Sequence, residues 1–137
     1  MSNRILGTIA AAVLLLAPKA SAQGQATKEP VSDGRTLSQW VADLKAPAPQ
    51  TRNAAAYEIS GMGPAAVAAV PALIAALDDP ETTVRFPATV ALAEIGPAAK
   101  AAVPRLKKMM DEEVNDEVAA AAKRALRRIQ PEALTGQ

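Results

Sequence analysis

One segment of this sequence occurs twice, 33 residues apart. Residues 63–77 read GPAAVAAVPALIAAL and residues 96–110 read GPAAKAAVPRLKKMM, so nine of fifteen positions are identical. A fixed period of this length is the signature of stacked repeats, each of which buries its apolar face only against its neighbours. The chain is therefore predicted to be a repeat protein.

Superposing the segments predicts two helices per repeat, A and B, in three repeats. The offset is 33 between the first and second B helices and 34 between the second and third, which assigns one extra residue to the turn at 111–115. Insertions cost least in turns. The aligned A positions are Leu37, Trp40, Val41 and Leu44; Val70, Leu73, Ile74 and Leu77; and Val103, Leu106, Lys107 and Met110. The aligned B positions are Thr51, Ala55, Ile59 and Gly63; Val84, Ala88, Leu92 and Gly96; and Val118, Ala122, Leu126 and Gln130.

The elements are predicted to be α-helices with identifiable ends. Thr36 and Gln39 form a capping box that starts the first helix, which should run to about Leu44. Asp79 is expected to cap a helix opened by Pro80. The fold class is therefore all-α, with six helices in three hairpins that stack as an α-solenoid.

Glycine and proline mark the boundaries between repeats. Gly63 and Gly96 are expected to end their B helices, and Pro64 opens a short helical turn after the first of them. Pro71 should then restart or bend the chain, because proline cannot continue a helix without a kink. Each A segment is therefore predicted to be a kinked helix.

Residues 1–22 are predicted to be a secretory signal peptide. Arg4 precedes the apolar run at 5–17, and residues 20–22 read ASA, which fits the small-x-small cleavage rule. A membrane anchor is disfavoured because it needs about 18 apolar residues or more. Residues 23–35 are polar and are predicted to be a flexible lead-in. The chain is therefore expected to be exported, to a periplasm or to the medium, without stable membrane insertion after cleavage.

The expected mature chain is almost neutral. Removing Arg4 and Lys19 lowers Lys+Arg from 15 to 13 against 14 Asp+Glu, a net charge of −1. This balance gives no general attraction to nucleic acid or to anionic membranes. There is no cysteine, so no disulfide can form and the domain must fold on its core alone.

The stretch LDDPETTVRFPATVALAEIGPAAKAAVPRL, residues 77–106, resembles the HEAT repeat family, specifically the short HEAT-like repeats of phycobilisome-lyase proteins. The likeness covers residues 36–131, with repeats at about 36–63, 64–96 and 97–130 and a C-terminal tail at 132–137. It is partial in the first repeat and weakest in the third. The resemblance implies an α-solenoid that binds other macromolecules, and it does not imply lyase chemistry.

Catalysis is not predicted. The chain has neither histidine nor cysteine, which removes the usual general base, the thiol nucleophile and ordinary zinc sites. The clustered acidic residues at 78–79, 111–113 and 116–117 lie in turns that lead into B helices, where the helix dipole stabilises negative charge. No nucleophile or phosphate-binding motif is present, and no metal or cofactor is expected.

A candidate protein-binding surface is assigned to the B helices, at Arg52, Asn53, Arg85, Phe86 and Thr89. The resemblance implies that the two arginines pair with turn aspartates in a ladder, and contact with a partner is the alternative. Phe86 and Thr89 lie on a stripe whose counterparts look solvated, so Phe86 is a candidate interface anchor unless the neighbouring proline tucks the ring inward.

The remaining aromatics and cations have structural interpretations. Trp40 aligns with core leucines, and Tyr57 is expected to be half-buried. A cationic set on the last repeat is interpreted as a cap that replaces apolar positions, with a binding patch as the alternative. It comprises Lys123, Arg124, Arg127 and Arg128, joined by Arg105, Lys107 and Lys108.

The sequence thus predicts an exported, non-enzymatic module that binds a protein partner through its B helices. An accessory subunit of a larger envelope complex, or a homodimer formed through the apolar first repeat, is the second hypothesis. A lyase-like protein that presents a tetrapyrrole is a third, and a purified chain that causes no spectral shift in added chromophore would exclude it.

Overall fold

A computed structural model describes residues 28–135, so the predicted signal peptide and residues 23–27 of the lead-in lie outside the described part of the chain. The described residues form six α-helices in three helical hairpins. The helices are α1 (Leu37–Asp43), α2 (Pro49–Met62), α3 (Val70–Ala76), α4 (Thr82–Ile95), α5 (Val103–Glu112) and α6 (Asp116–Ile129). The odd-numbered helices are the A helices and the even-numbered helices are the B helices.

The hairpins stack in sequence order. Helix α4 packs against α2 on one side and α6 on the other, and each B helix also packs against the A helix of its own repeat. Equivalent B positions are fully buried in all three repeats: Ala55, Ala88 and Ala122, and Ile59, Leu92 and Leu126. Alanine at the contact allows the helices to approach closely, and the larger residue fills the space between the layers. The predicted all-α solenoid of three hairpins is confirmed.

The kinked A segments also follow the prediction. A 3-10 segment at Gly63–Ala69 leads into α3, and another at Gly96–Ala102 leads into α5. The kinks lie at Ala66 and Ala99, whose backbone angles are not helical. Pro71 occupies the first turn of α3, where its missing N–H costs no helical hydrogen bond.

The glycine that ends α4 has a conformation that other residues rarely adopt. Gly96 has φ 79° and ψ −146°, a region populated almost only by glycine. A Cβ at this position would meet no atom within 4 Å, so the cost of a side chain is backbone strain alone. We expect Gly96→Ala to destabilise the fold by about 1–3 kcal/mol, measured by urea denaturation.

Gly61 is the matched control for that substitution. It lies inside α2, and a Cβ there would also meet no atom within 4 Å. Gly61→Ala should therefore stabilise the protein by about 0.5 kcal/mol, because alanine has the higher helix propensity. Equal effects of the two substitutions would contradict the strained backbone at Gly96.

Residues 31–36 correct the prediction of a flexible lead-in over 23–35. Val31–Ser32 and Arg35–Thr36 pair as a short antiparallel hairpin. Asp33 and Gly34 form its turn with φ of 48° and 74°, which suits the Asp-Gly pair typical of tight hairpins. The hairpin is held on the fold by Trp40, whose indole N–H donates to the Ser32 carbonyl at 3.0 Å.

The predicted helix starts have mixed outcomes. Thr36 and Gln39 form the predicted capping box of α1. Asp79, in contrast, does not cap a helix opened by Pro80, because α4 begins at Thr82. Its carboxylate accepts a hydrogen bond from the Glu81 N–H at 3.0 Å within the turn.

The predicted tail is partly structured. Pro131–Leu134 forms a 3-10 turn, and Ala133 within it is buried against the core. Pro131 and Ala133 lie 34 residues after Pro97 and Ala99. The turn is therefore the counterpart of the 3-10 segments that open the second and third A helices, and it covers the end of α6.

One described stretch, Pro49–Ala76, has the length and apolar composition of a membrane span. It consists of α2, the first 3-10 segment and α3. The regular helix is interrupted at Gly63, where φ is 57°. Part of its apolar surface is the core between the repeats. This composition is shared by buried core helices, so it is weak evidence for membrane insertion.

Candidate functional site

Arg52 links the first two repeats at the turn end of the B helices. Its guanidinium donates to both carboxylate oxygens of Asp79, at 2.6 and 3.0 Å. The same group donates to the carbonyls of Ala46 and Pro47, at 2.9 and 3.0 Å. Each of these bonds uses the planar fork of arginine, which lysine cannot reproduce.

Arg85 repeats this arrangement one unit later. It donates to both carboxylate oxygens of Glu113, at 2.7 and 2.9 Å, and to the carbonyls of Asp79 and Pro80, at 2.9 and 3.1 Å. The two arginines therefore form a ladder in which each binds its own turn and the carboxylate of the next turn. Asp79 is replaced by Ala46 at the equivalent position of repeat 1, and Arg85 is replaced by Ala119 in repeat 3. Neither end of the ladder therefore has an unpaired charge.

The ladder supports the structural interpretation of the two predicted arginines. The side chains of Arg52 and Arg85 are only 14% and 17% exposed, and most of their N–H donors already have partners. Neither is therefore well placed to contact another protein. Asp79 and Glu113, each 8% exposed, are the carboxylates that hold them.

The carboxylates of the ladder make the free energy of unfolding depend on pH in the acid range. Hydrogen bonds from Arg52 lower the pKa of Asp79, and hydrogen bonds from Arg85 lower the pKa of Glu113. A lowered carboxyl pKa in the folded state stabilises the fold above the ordinary value of about 4, and this contribution is lost as pH falls through the lowered pKa. We expect stability to be nearly constant from about pH 7 to 5 and to fall below about pH 4.

The measurement is the midpoint of urea unfolding at several pH values. Unfolding is monitored by the fluorescence of Trp40, the single tryptophan. A double variant, Asp79→Asn with Glu113→Gln, is the control. It should be less stable at pH 7 and lose less stability on acidification, since the two titrating groups are gone. An unchanged acid dependence in this variant would show that the ladder does not control it.

A groove runs along the B-helix surface between α2 and α4. Its volume is about 370 Å³, and its lining residues are Asn53, Tyr57, Ser60, Thr82, Thr83, Phe86, Pro87, Val90 and Glu117. Tyr57 is 68% exposed and stands at its side, while Phe86 is half-buried and packs partly against the core. The groove is therefore an open, largely apolar surface with one exposed aromatic side chain.

Asn53, one of the predicted site residues, has a structural bond at the groove edge. Its side-chain amide donates to the carbonyl of Thr83 in the next repeat. That carbonyl lies four residues before Pro87, which has no N–H to bind it within the helix. Asn53 thus satisfies an acceptor that Pro87 leaves free, and this lets α4 continue through the proline.

The structure corrects the placement of Thr89 on a solvated stripe. Thr89 is 0% exposed. Its hydroxyl donates to the Arg85 carbonyl at 2.8 Å and lies 3.5 Å from the sulfur of Met109 in α5. The third repeat covers this face of the central B helix, so Thr89 belongs to the core and cannot contact a partner.

The aromatic predictions divide in the same way. Trp40 is buried, as predicted, with the Arg35 guanidinium 4.2 Å from its ring centroid. Tyr57 is exposed where it was expected to be half-buried, and Phe86 is half-buried, which agrees with the alternative in which the ring beside Pro87 is tucked inward. Both line the same groove. In the sequence, the groove is indicated by the aligned repeat position that Tyr57 and Val90 share.

The predicted cationic set is partly paired. Arg105 binds Asp78 at 2.5 Å, Arg128 binds Glu94 at 2.7 Å, and Lys108 lies 3.8 Å from Glu112. Lys123, Arg124 and Arg127 on α6 are exposed, and none of the three makes an ion pair with another described residue. Lys123 follows Thr89 by 34 residues, so it occupies the side that a fourth repeat would cover. The position of Lys123 therefore favours its interpretation as part of the cap. Arg124, in contrast, lies on the B-helix surface.

Among residues 28–135, no group of three or more acidic side chains is placed to hold a metal ion.

The comparisons with known proteins agree with this architecture. The family model for HEAT repeats matches residues 37–127, about two thirds of the chain. No curated protein and no solved structure matched the sequence. HEAT repeats are commonly protein-interaction scaffolds without catalytic activity. The chain belongs to the HEAT repeat family.

Proposed function

We propose that this protein is an exported, non-enzymatic module that binds a protein partner on the surface of its B helices. The observation that carries the proposal is the open apolar groove between α2 and α4, with the exposed Tyr57 at its side. Partly exposed aromatic side chains in such grooves are typical anchors of protein interfaces. The site proposed is therefore the groove, in place of the arginines of the ladder.

Binding would use a preformed surface. The helices on both sides of the groove are fixed by buried contacts with their neighbours and by the bond from Asn53 to Thr83. A rigid surface loses little conformational entropy on binding, so complementarity of shape can be converted into affinity. We expect the backbone of the domain to change little when the partner binds.

Export is proposed from the signal-like sequence at residues 1–22. The test is fractionation of cells that produce the full chain. A mature protein in the periplasm or medium that starts at Gln23 would support export. A cytoplasmic protein that retains its first residues would contradict it.

A homodimer or a place in a larger envelope complex is the second candidate, and the apolar surface that favours it lies in the second A segment instead of in the first repeat. Residues 59–77 contain no charged side chain, and Val67 within them is 47% exposed. The equivalent positions in repeat 3 include Lys100, Arg105 and Lys107. Sedimentation at several protein concentrations tests this candidate: a mass that stays at one chain at high concentration would contradict the dimer.

The groove itself is tested by affinity capture from the native envelope or medium. The bait is the purified chain, and the comparison baits are Tyr57→Ser in the groove and Val67→Ser in the 3-10 segment that leads into α3. A specific protein that is lost with Tyr57→Ser and retained with Val67→Ser supports the proposed site. Equal recovery with all three baits would place the binding surface elsewhere.

A further inference from the structure

We propose that the groove binds an acidic segment of the partner that carries one bulky apolar side chain. This inference rests on the proposed function, because it takes the groove as the site of protein binding, and it adds the chemistry of what binds there. Two features carry it: the apolar lining of the groove and the exposed cations of the neighbouring helix α6.

The apolar half of the site is the groove floor. Phe86, Pro87 and Val90 come from α4, and Tyr57 faces them from α2. The polar side chains of α2 at this edge, Asn53 and Ser60, are small, and both already donate to carbonyls. A volume of about 370 Å³ lies within the range of pockets that accept small organic groups. An aromatic or leucine side chain fits this chemistry, whereas a charged one would lose its hydration without a partner.

The position of the cations follows from the register of α4 and α6. Glu94 and Arg128 are joined by an ion pair of 2.7 Å, which aligns the two helices side by side at this level. One helical turn earlier, the same alignment sets Val90 beside Arg124. Packed helices lie about 8–10 Å apart, so Arg124 stands about that distance from the groove floor. Arg124 is exposed and has no ionic partner among the described residues.

Charge also gives the site a direction. Glu117 lines the groove near the start of α6, two turns before Arg124, or about 10 Å at 1.5 Å per residue. Carboxylates of the partner are therefore attracted toward Arg124 and repelled at the opposite end. In an extended segment, the distance from groove to cation corresponds to about three residues at 3.3 Å each.

A peptide fits these features better than a nucleic acid. Single-stranded nucleic acids are bound by several exposed aromatic platforms along a cationic path. Here Tyr57 is the one exposed aromatic side chain among the described residues, and the groove lining includes the carboxylate of Glu117. A phosphate backbone along the groove would be repelled at that residue.

The experiment is selection of a random twelve-residue peptide library against the purified full chain, followed by fluorescence polarisation of individual peptides and of a twelve-nucleotide oligothymidine. Four proteins are compared: the parent, Tyr57→Ser, Arg124→Glu and Lys123→Glu. The last two reverse adjacent charges on α6, but only Arg124 lies in the column of Tyr57 and Val90. Circular dichroism confirms that each variant is folded.

We expect the selected peptides to carry Asp or Glu within about four residues of Phe, Trp or Leu. Their binding should weaken about tenfold or more in Tyr57→Ser and in Arg124→Glu, and less than about threefold in Lys123→Glu. Raising the salt concentration should weaken it further.

The other outcomes separate this inference from the proposed function. Peptides that need Tyr57 but carry no acidic residues, or that tolerate Arg124→Glu, would overturn the acidic partner and leave protein binding in the groove intact. A library without any Tyr57-dependent peptide would overturn both. Oligothymidine that binds more tightly than every peptide, in a Tyr57-dependent manner, would replace the protein partner with a nucleic acid.

Discussion

Thr89→Lys is expected to unfold much of the protein at room temperature, although lysine is the natural residue at the equivalent position of the third repeat. Thr89 is 0% exposed and lies against Met109. A lysine here would bury an ammonium group without a carboxylate, and Arg85, one helical turn earlier, is also cationic. We expect a loss of about 4 kcal/mol or more, out of a typical total of about 5–15 kcal/mol.

The reverse exchange and an isosteric variant are the controls. Lys123→Thr should change stability by less than about 0.5 kcal/mol, because Lys123 is exposed. Thr89→Val, which keeps the volume and removes only the bond to the Arg85 carbonyl, should cost about 1 kcal/mol. Thermal unfolding followed by far-ultraviolet circular dichroism measures all three. A midpoint for Thr89→Lys close to that of the parent would mean that the third repeat does not cover this face.

Arg85→Met is expected to give the second large effect. The change leaves the Glu113 carboxylate, 8% exposed, without its guanidinium partner, and the carbonyls of Asp79 and Pro80 lose a donor. Removing one partner of a fully buried pair costs about 3–5 kcal/mol. Since the rim of this pair reaches solvent, we expect a smaller loss of about 2–3 kcal/mol.

Two further variants test whether the pair itself is responsible. Arg85→Lys should recover little, because an ammonium group cannot make the two parallel bonds to Glu113 and the bonds to the turn carbonyls together. Arg85→Met combined with Glu113→Met should recover at least half of the loss, because the uncompensated carboxylate is gone. With Glu113→Met alone as the remaining corner, the urea midpoints of the parent, the two single methionine variants and the double variant form a double-mutant cycle. Additive losses would show that Arg85 and Glu113 do not interact.

The repeat architecture could be predicted because it depends on local, repeated signals. The 33-residue period, the capping box at Thr36, and Gly63 and Gly96 at the ends of B helices each act within a few residues of sequence. The structure has the corresponding cap and the two glycines with positive φ. The hairpin at 31–36 was not predicted, because two-residue strands are too short to show alternation of apolar and polar side chains.

The errors in the candidate site have one physical source. Exposure was judged from each helix and from the residues at equivalent positions, but the middle repeat has neighbours on both sides. The equivalent residue Lys123 suggests a solvated side chain at position 89, although Met109 of the third repeat covers Thr89. Tyr57 was expected to resemble its half-buried counterpart Val90, although it stands free at the side of the groove. Such differences depend on packing between repeats, which an alignment of equivalent positions does not describe.

Photo-crosslinking in cells shows whether a protein partner lies on the B-helix surface at the groove, with p-benzoylphenylalanine placed at position 57 in one strain and at position 67 in another. Both positions are exposed, at 68% and 47%, so neither substitution should disturb the core. We predict a discrete protein adduct from position 57 and none from position 67. An adduct from position 67 alone, or no adduct from position 57, would contradict the claim.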